Sequence, residues 1–168
     1  MSIFKSLSPE ELNAAVGEML ERQAIIDLQS DYWWLIDSKQ WDKWADVLTD
    51  DMAFYHNGVL VHQEGAAKHV EMTRGSLDYM ISAHQGHQYK IKFTSATTAE
   101  GRWVLNDILT IVQNGGKIEG QGYYFFDYIK CDDGKWRIKT IRLGYFRFQQ
   151  PDKDPDFTAE IPYKTALS

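Results

Sequence analysis

A chain of 168 residues, 43% hydrophobic and 25% charged, is long enough to remove roughly 70% of its unfolded surface from water, so one core suffices without disulfides or metal staples. The net charge is −6, with Lys and Arg scattered rather than gathered into a stripe, which argues against nucleic acid and anionic membrane as partners. The single cysteine, Cys131, makes no internal disulfide, no run approaches ~18 consecutive apolar residues, and residues 1–12 lack the apolar stretch of a secretory signal, so a cytoplasmic location is expected.

Ser8-Pro9-Glu10-Glu11 combines a serine N-cap, a proline at the first helical position and a glutamate at the third, a capping box that opens a helix. Apolar residues then recur three and four apart at Leu20, Ala24, Ile25, Leu28, Tyr32, Leu35 and Ile36, carrying the helix to about Ile36. A second, short helix is expected with Trp41, Trp44, Ala45 and Leu48 on one side. Strands at 52–56 and 59–63 flank Asn57-Gly58, the dipeptide that best tolerates a two-residue hairpin turn, and 64–77 reads as a weak helix. From about His84 the pattern is strand-like: 84–94, 101–113, 118–130 and 135–149, the last three separated by Asn114-Gly115-Gly116 and Asp132-Asp133-Gly134. Helices first and an antiparallel meander last give an α+β chain, with the helices on one face of the sheet. Residues 1–150 are expected to form one domain, and the Pro/Asp-rich residues 151–168 an extended tail, flap or intersubunit arm.

Alternation along the strands isolates two polar residues. In 101–113 one face reads Trp103, Leu105, Asp107, Leu109, Ile111; in 84–94 one face reads His87, Tyr89, Ile91, Phe93. A lone carboxylate in such a wall must take up a proton or find a partner, because a bare buried charge costs several kcal/mol. His87 is one candidate partner, and a nearby Tyr or Arg is another. Tyr32 lies on the inward stripe of the first helix, where its phenol is a possible donor to developing negative charge. Asp37 is either an anion at a helix C-terminus, which the dipole disfavours, or the N-cap of the next helix. His56, His62, His69 and His84 share no ligand spacing with a carboxylate on one element, so no metal site is expected.

The segments 31–37 (DYWWLID), 54–58 (FYHNG), 83–87 (AHQGH), 101–107 (GRWVLND) and 143–147 (LGYFR) span most of the chain. In this order they resemble the SnoaL-like branch of the NTF2-like superfamily, above all the bacterial bile acid 7α-dehydratases, with scytalone-dehydratase-like relatives. The resemblance implies a cone in which N-terminal helices pack on a strongly curved, mostly antiparallel sheet. It implies a dehydratase that eliminates water from a hydroxylated steroid or bile-acid-like ketone, free or as a CoA thioester, without metal or organic cofactor. The catalytic tyrosine, histidine and aspartate fall on Tyr32, His87 and Asp107, and the substrate-binding residues on Asp37, Tyr55 and Arg147. Trp33 joins the binding set as a departure, an aromatic where the family has smaller or more polar residues. The resemblance also implies a homotrimer, consistent with an outer sheet face expected to carry Val104, Ile108, Val112, Tyr124, Phe126 and Tyr128. Rival readings are a non-catalytic subunit like the small subunit of a ring-hydroxylating dioxygenase, and an isomerase or polyketide cyclase using the same base.

Overall fold

The computed structural model describes residues 6–149 and the backbone of 156–157. Helix α1 runs Pro9–Asp37 and opens with the expected reciprocal cap: the Glu11 amide donates to Ser8 Oγ at 3.2 Å and the Ser8 amide to Glu11 Oε2 at 2.8 Å. Only its C-terminal part is buried, through Ile25, Leu28, Gln29, Tyr32, Trp33 and Ile36; Leu12, Met19 and Leu20 are exposed. Burying a side chain such as Ile25 contributes about 1.5–3 kcal/mol over leaving it in water, so that stripe seats the helix. A polar pin reinforces it: Trp103 Nε1 donates to the Tyr128 hydroxyl at 2.9 Å, which donates to Gln29 Oε1 at 2.7 Å.

Helix α2 covers Trp41–Asp46 and ends before Leu48, which starts strand β1 (Leu48–His56) instead of extending the helix. Strand β2 (Val59–His62) returns through Asn57 and Gly58, whose φ angles of 48° and 80° are the positive pair the turn requires. Helix α3 covers Ala66–Leu77. It begins at Gly65, where φ is 87° and an added Cβ would lie 1.7 Å from the Asp50 carbonyl oxygen, so no side chain fits there.

Strands β3 (Met80–Phe93), β4 (Thr98–Ile111), β5 (Lys117–Lys130) and β6 (Trp136–Gln149) form the meander, β3 starting four residues earlier than the sequence pattern indicates. The sheet order is β2-β1-β6-β5-β4-β3, with β1 parallel to β6 and the other pairs antiparallel. A short strand β7 (Asp156–Phe157) pairs with β6; the rest of the expected tail lies outside the described residues. The α+β architecture is as expected, but one face assignment is reversed. Tyr124, Phe126 and Tyr128 are 4%, 1% and 1% exposed and belong to the core, so the outward residues of β5 are Tyr123, Phe125 and Asp127. No helix among the described residues is long and apolar enough to cross a membrane.

Candidate functional site

The site is set by a bulge in β3. Before it, Met80 and Ser82 are buried and His84 shares their phase; after it, Ile91 and Phe93 point inward, so the inward phase changes from even to odd numbers. The register slips between His87 and Lys90, and Gln88 adopts a φ of 49°. One extra residue in a strand exchanges its faces beyond that point. His87 is consequently exposed, with Nε2 2.9 Å from Asn106 Nδ2, and it does not meet Asp107. The residue paired with Asp107 across the β3–β4 ladder is His84.

His84 is held twice by the last residue of α1. Its backbone N–H donates to Asp37 Oδ2 at 2.8 Å, and its ring Nδ1 lies 2.6 Å from Asp37 Oδ1. The imidazole is 7% exposed and the carboxylate 22%. An ionised carboxylate only accepts, so Nδ1 carries the proton and Nε2 is the nitrogen left for proton transfer. Asp37 is therefore neither a misplaced helix-end anion nor the cap of α2, whose N-cap is Gln40. The dipole penalty at the helix C-terminus is offset by two hydrogen bonds to the sheet.

Asp107 is 2% exposed. The Tyr145 hydroxyl donates to its Oδ2 at 2.5 Å, while its buried Oδ1 has no side-chain partner. Burial pushes its carboxyl above the usual range, opposed in part by the Tyr145 hydrogen bond and the charge of His84. Room for the pair comes from Gly120 opposite, where an added Cβ would stand 2.0 Å from Asp107 Oδ1 and 2.4 Å from the Tyr145 ring.

Tyr32 is 2% exposed and ringed by Trp33, Trp44, Tyr124 and Phe126. Burial drives its phenol far above the ordinary value, and a hydrogen bond from Tyr124 opposes this slightly. Tyr124 lies within electrostatic reach of Tyr32, Tyr145 and Asp107, so three phenols and a carboxyl gather on one inner patch. Arg147 does not follow Tyr145 into this patch: the β6 register slips by one residue between them, so Phe148 pairs with Gly120 and packs on Tyr145, while Arg147 pairs with outward Gln121, half-buried, its Nη2 3.5 Å from Gln149 Oε1.

Two other expected binding residues are also placed differently. Tyr55 sits in register with exposed Arg142, whose guanidinium lies 5.8 Å from the Tyr55 ring and pairs with Asp127, so Tyr55 is on the outer face. Trp33 is packed edge-on against Trp103 at 5.1 Å, over Gly86, where an added Cβ would come within 1.8 Å of its ring. Sequence reasoning missed His84 and Tyr145 as members of the site. Only the turn as it forms gives the register: Phe93 pairs with Ala99, and counting back from that pair through the bulge puts His84 opposite Asp107. Among the described residues, no group of three or more His, Cys, Asp or Glu is arranged to hold a metal ion.

The arrangement offers a carboxylate-oriented imidazole, a buried carboxyl fit to hold a proton and phenolic donors, all facing an aromatic interior. The SnoaL-like domain profile matches residues 17–142. Among solved structures, the chain is similar to a putative scytalone dehydratase from Novosphingobium aromaticivorans DSM 12444, with a TM-score of 0.73 and 19% identity over 84% of this chain and 95% of that one. It is also similar to the hexachlorocyclohexane dehydrochlorinase LinA-type3 from Novosphingobium barchaimii LL02, with a TM-score of 0.70 and 22% identity over 87% and 99%. A Mycobacterium tuberculosis protein of unknown function matches with a TM-score of 0.67 and 24% identity over 85% and 79%. At these identities the likenesses describe the fold, and together with the match over 17–142 they identify the chain as a member of the SnoaL-like (NTF2-like) domain family.

Proposed function

We propose that this chain is a lyase that eliminates water from a hydroxylated, ketone-bearing apolar molecule of steroid or bile-acid kind, with His84 as the base in the role first assigned to His87. The observation that carries the reading is the His84–Asp37 pair, with His84 directly opposite Asp107 across the β3–β4 ladder. Proteins of the same fold bearing the names dehydratase and dehydrochlorinase support the reaction class, at 19% and 22% identity.

In the proposed step, His84 Nε2 takes a proton from a carbon made acidic by the conjugated carbonyl. Asp37 holds the ring tautomer and stabilises the imidazolium; positioned proton transfer of this kind is worth about 10²- to 10⁴-fold. The C–H electron pair moves into a dienolate, whose oxygen accepts a hydrogen bond from Tyr32, supported by Tyr124. Such a contact contributes roughly 3 to 4 kcal/mol in the transition state. The pair then returns to form the double bond as the C–O bond breaks, and the departing hydroxide takes the Asp107 proton to leave as water. The proton on His84 restores Asp107 through solvent, which balances the cycle. Arg147, in register with outward Gln121, has no part in this reading. Trp33 limits the size of the interior through its packing, and Tyr55 has no part in this reading.

The same reading includes a homotrimer, supported by apolar residues left on the outer face: Ile81, Ile108 and Val112 are 67%, 43% and 62% exposed. Sedimentation giving only 19.5 kDa species at micromolar concentration would remove the trimer.

The function is tested by incubating the purified protein with 7α-hydroxy-3-oxo-4-ene steroids and hydroxylated bile-acid thioesters. The expected result is new conjugated absorbance with loss of one water by mass spectrometry. A product of unchanged mass with a moved double bond would mean an isomerase, and no turnover of any hydroxylated ketone would overturn the enzyme reading.

A further inference from the structure

Gly120 leaves a space on the inner face of β5, and two side chains from neighbouring strands fill it: Asp107 of β4 and Tyr145 of β6. Asp107 is buried and Tyr145 half-buried, and they meet through a 2.5 Å hydrogen bond to Oδ2. The other carboxyl oxygen is buried with no side-chain partner. An ionised carboxylate presents about four acceptor sites; with Tyr145 as its one side-chain donor and only weaker help from the backbone N–H groups of Gly120 and Asp107, a group this deep is poorly solvated as an anion and well accommodated as a neutral acid. If Asp107 is neutral, the oxygen bonded to the phenol is the acceptor and the remaining oxygen carries the proton.

We propose that Tyr145 is a positioning residue, lodged with Asp107 in the space left by Gly120, which holds the carboxyl by Oδ2 and leaves Oδ1 as the site of its exchangeable proton. This rests on the reading of Asp107 as the group that protonates the departing oxygen, and assigns to Tyr145 the control of how readily it does so. A phenol that donates to the carboxyl stabilises the anion more than the acid, so it keeps the proton transferable in a setting that otherwise locks it on. The titratable groups around the pair are His84 on β3, Tyr124 on β5 and Tyr32 on α1. On β1, the ring of His56 lies 5.8 Å from that of Tyr145. Of these, His84 and His56 are the groups that gain positive charge on protonation; burial lowers His56, and His84 carries Asp37 as its own counter-charge.

The test needs no substrate. With ¹³C-carboxyl aspartate, the Asp107 signal, assigned by its loss in Asp107→Asn, is titrated in the wild-type protein and in Tyr145→Phe. The wild-type midpoint is expected above that of ordinary aspartate, and Tyr145→Phe is expected to raise it further by about one pH unit. A midpoint unchanged or lowered in Tyr145→Phe overturns the proposal. Should that variant not fold, the wild-type protein labelled at tyrosine Cζ decides: the Tyr145 signal must shift with the same midpoint as the Asp107 carboxyl, and a Tyr145 signal flat through that midpoint overturns it. A purely structural tyrosine moves neither readout. Because titration and turnover are separate measurements, an Asp107 that titrates as described in a protein that dehydrates nothing removes the proposed function and leaves the role of Tyr145. Normal titration of Asp107 in an active dehydratase does the reverse.

Discussion

Asp37 and His84 meet through both ends of the histidine: one carboxylate oxygen accepts from the backbone N–H at 2.8 Å and the other from ring Nδ1 at 2.6 Å. The backbone contact fixes where the carboxylate sits, and the ring contact fixes which imidazole nitrogen faces the interior. Asp37→Asn keeps an acceptor for the backbone amide but presents an NH₂ to the ring, which favours the wrong tautomer. The rate of elimination is expected to fall by about 10²-fold or more while the denaturation midpoint moves little. Steady-state kinetics beside a urea titration separate the two effects, and a variant as fast as wild type would detach Asp37 from the chemistry.

Trp33 owes its position to the missing side chain at Gly86, whose added Cβ would overlap the indole at 1.8 Å. Gly86→Ala is expected to destabilise the fold by about 1–3 kcal/mol through overpacking. A denaturation midpoint equal to that of the wild type would show that the indole moves aside freely.

The pin between α1 and the sheet passes through one hydroxyl. Tyr128→Phe leaves Trp103 Nε1 and Gln29 Oε1 without the group that joins them. A loss of roughly 1–3 kcal/mol in unfolding free energy is expected, since both partners stay buried. No loss by chemical denaturation would mean that water replaces the phenol.

Away from the site, His62 Nε2 and His69 Nδ1 lie 3.0 Å apart in the core beside Phe54 and Trp44. Burial first, and the neighbouring His62 second, pull His69 down from 6.5 to about 3. The unfolded chain takes up that proton near pH 6.5 and the folded chain only near pH 3, so this stability is full above pH 6.5 and is lost as pH falls through the window. The slope from one such group is at most about 1.4 kcal/mol per pH unit. His69→Leu is expected to flatten the acid limb of the stability curve between those pH values, and an unchanged limb would place the acid sensitivity elsewhere.

Much of this was legible in local chemistry. Ser8 with Glu11 marks the start of α1, Asn57-Gly58 marks the first hairpin, and Asp107 stands out because a carboxylate interrupts an apolar face. What stayed hidden lies in distance or in a broken period. The Asp37–His84 contact spans 47 positions along the chain, and the parallel β1–β6 pairing joins distant strands, so neither leaves a local pattern. The bulge at Gln88 has no glycine or asparagine to announce its positive φ, and that carried the phase of Ile91 and Phe93 wrongly back to His87. In β5 the run Tyr123, Tyr124, Phe125, Phe126 has an aromatic on both faces, so alternation cannot choose between them.

The most direct measurement is kcat/KM for His84→Ala and His87→Ala, side by side, on a hydroxylated 3-oxo-4-ene steroid that the wild-type protein dehydrates. If His84 is the base, its loss lowers kcat by at least about 10²-fold with substrate affinity kept within about tenfold, because its role is expressed in the transition state. His87→Ala, at an exposed position held only to Asn106, is expected to stay within about threefold of wild type, with the surface location as the reason. The reverse order, with His87→Ala inactive and His84→Ala fully active, would contradict the assignment of the chemistry to the His84–Asp37 pair.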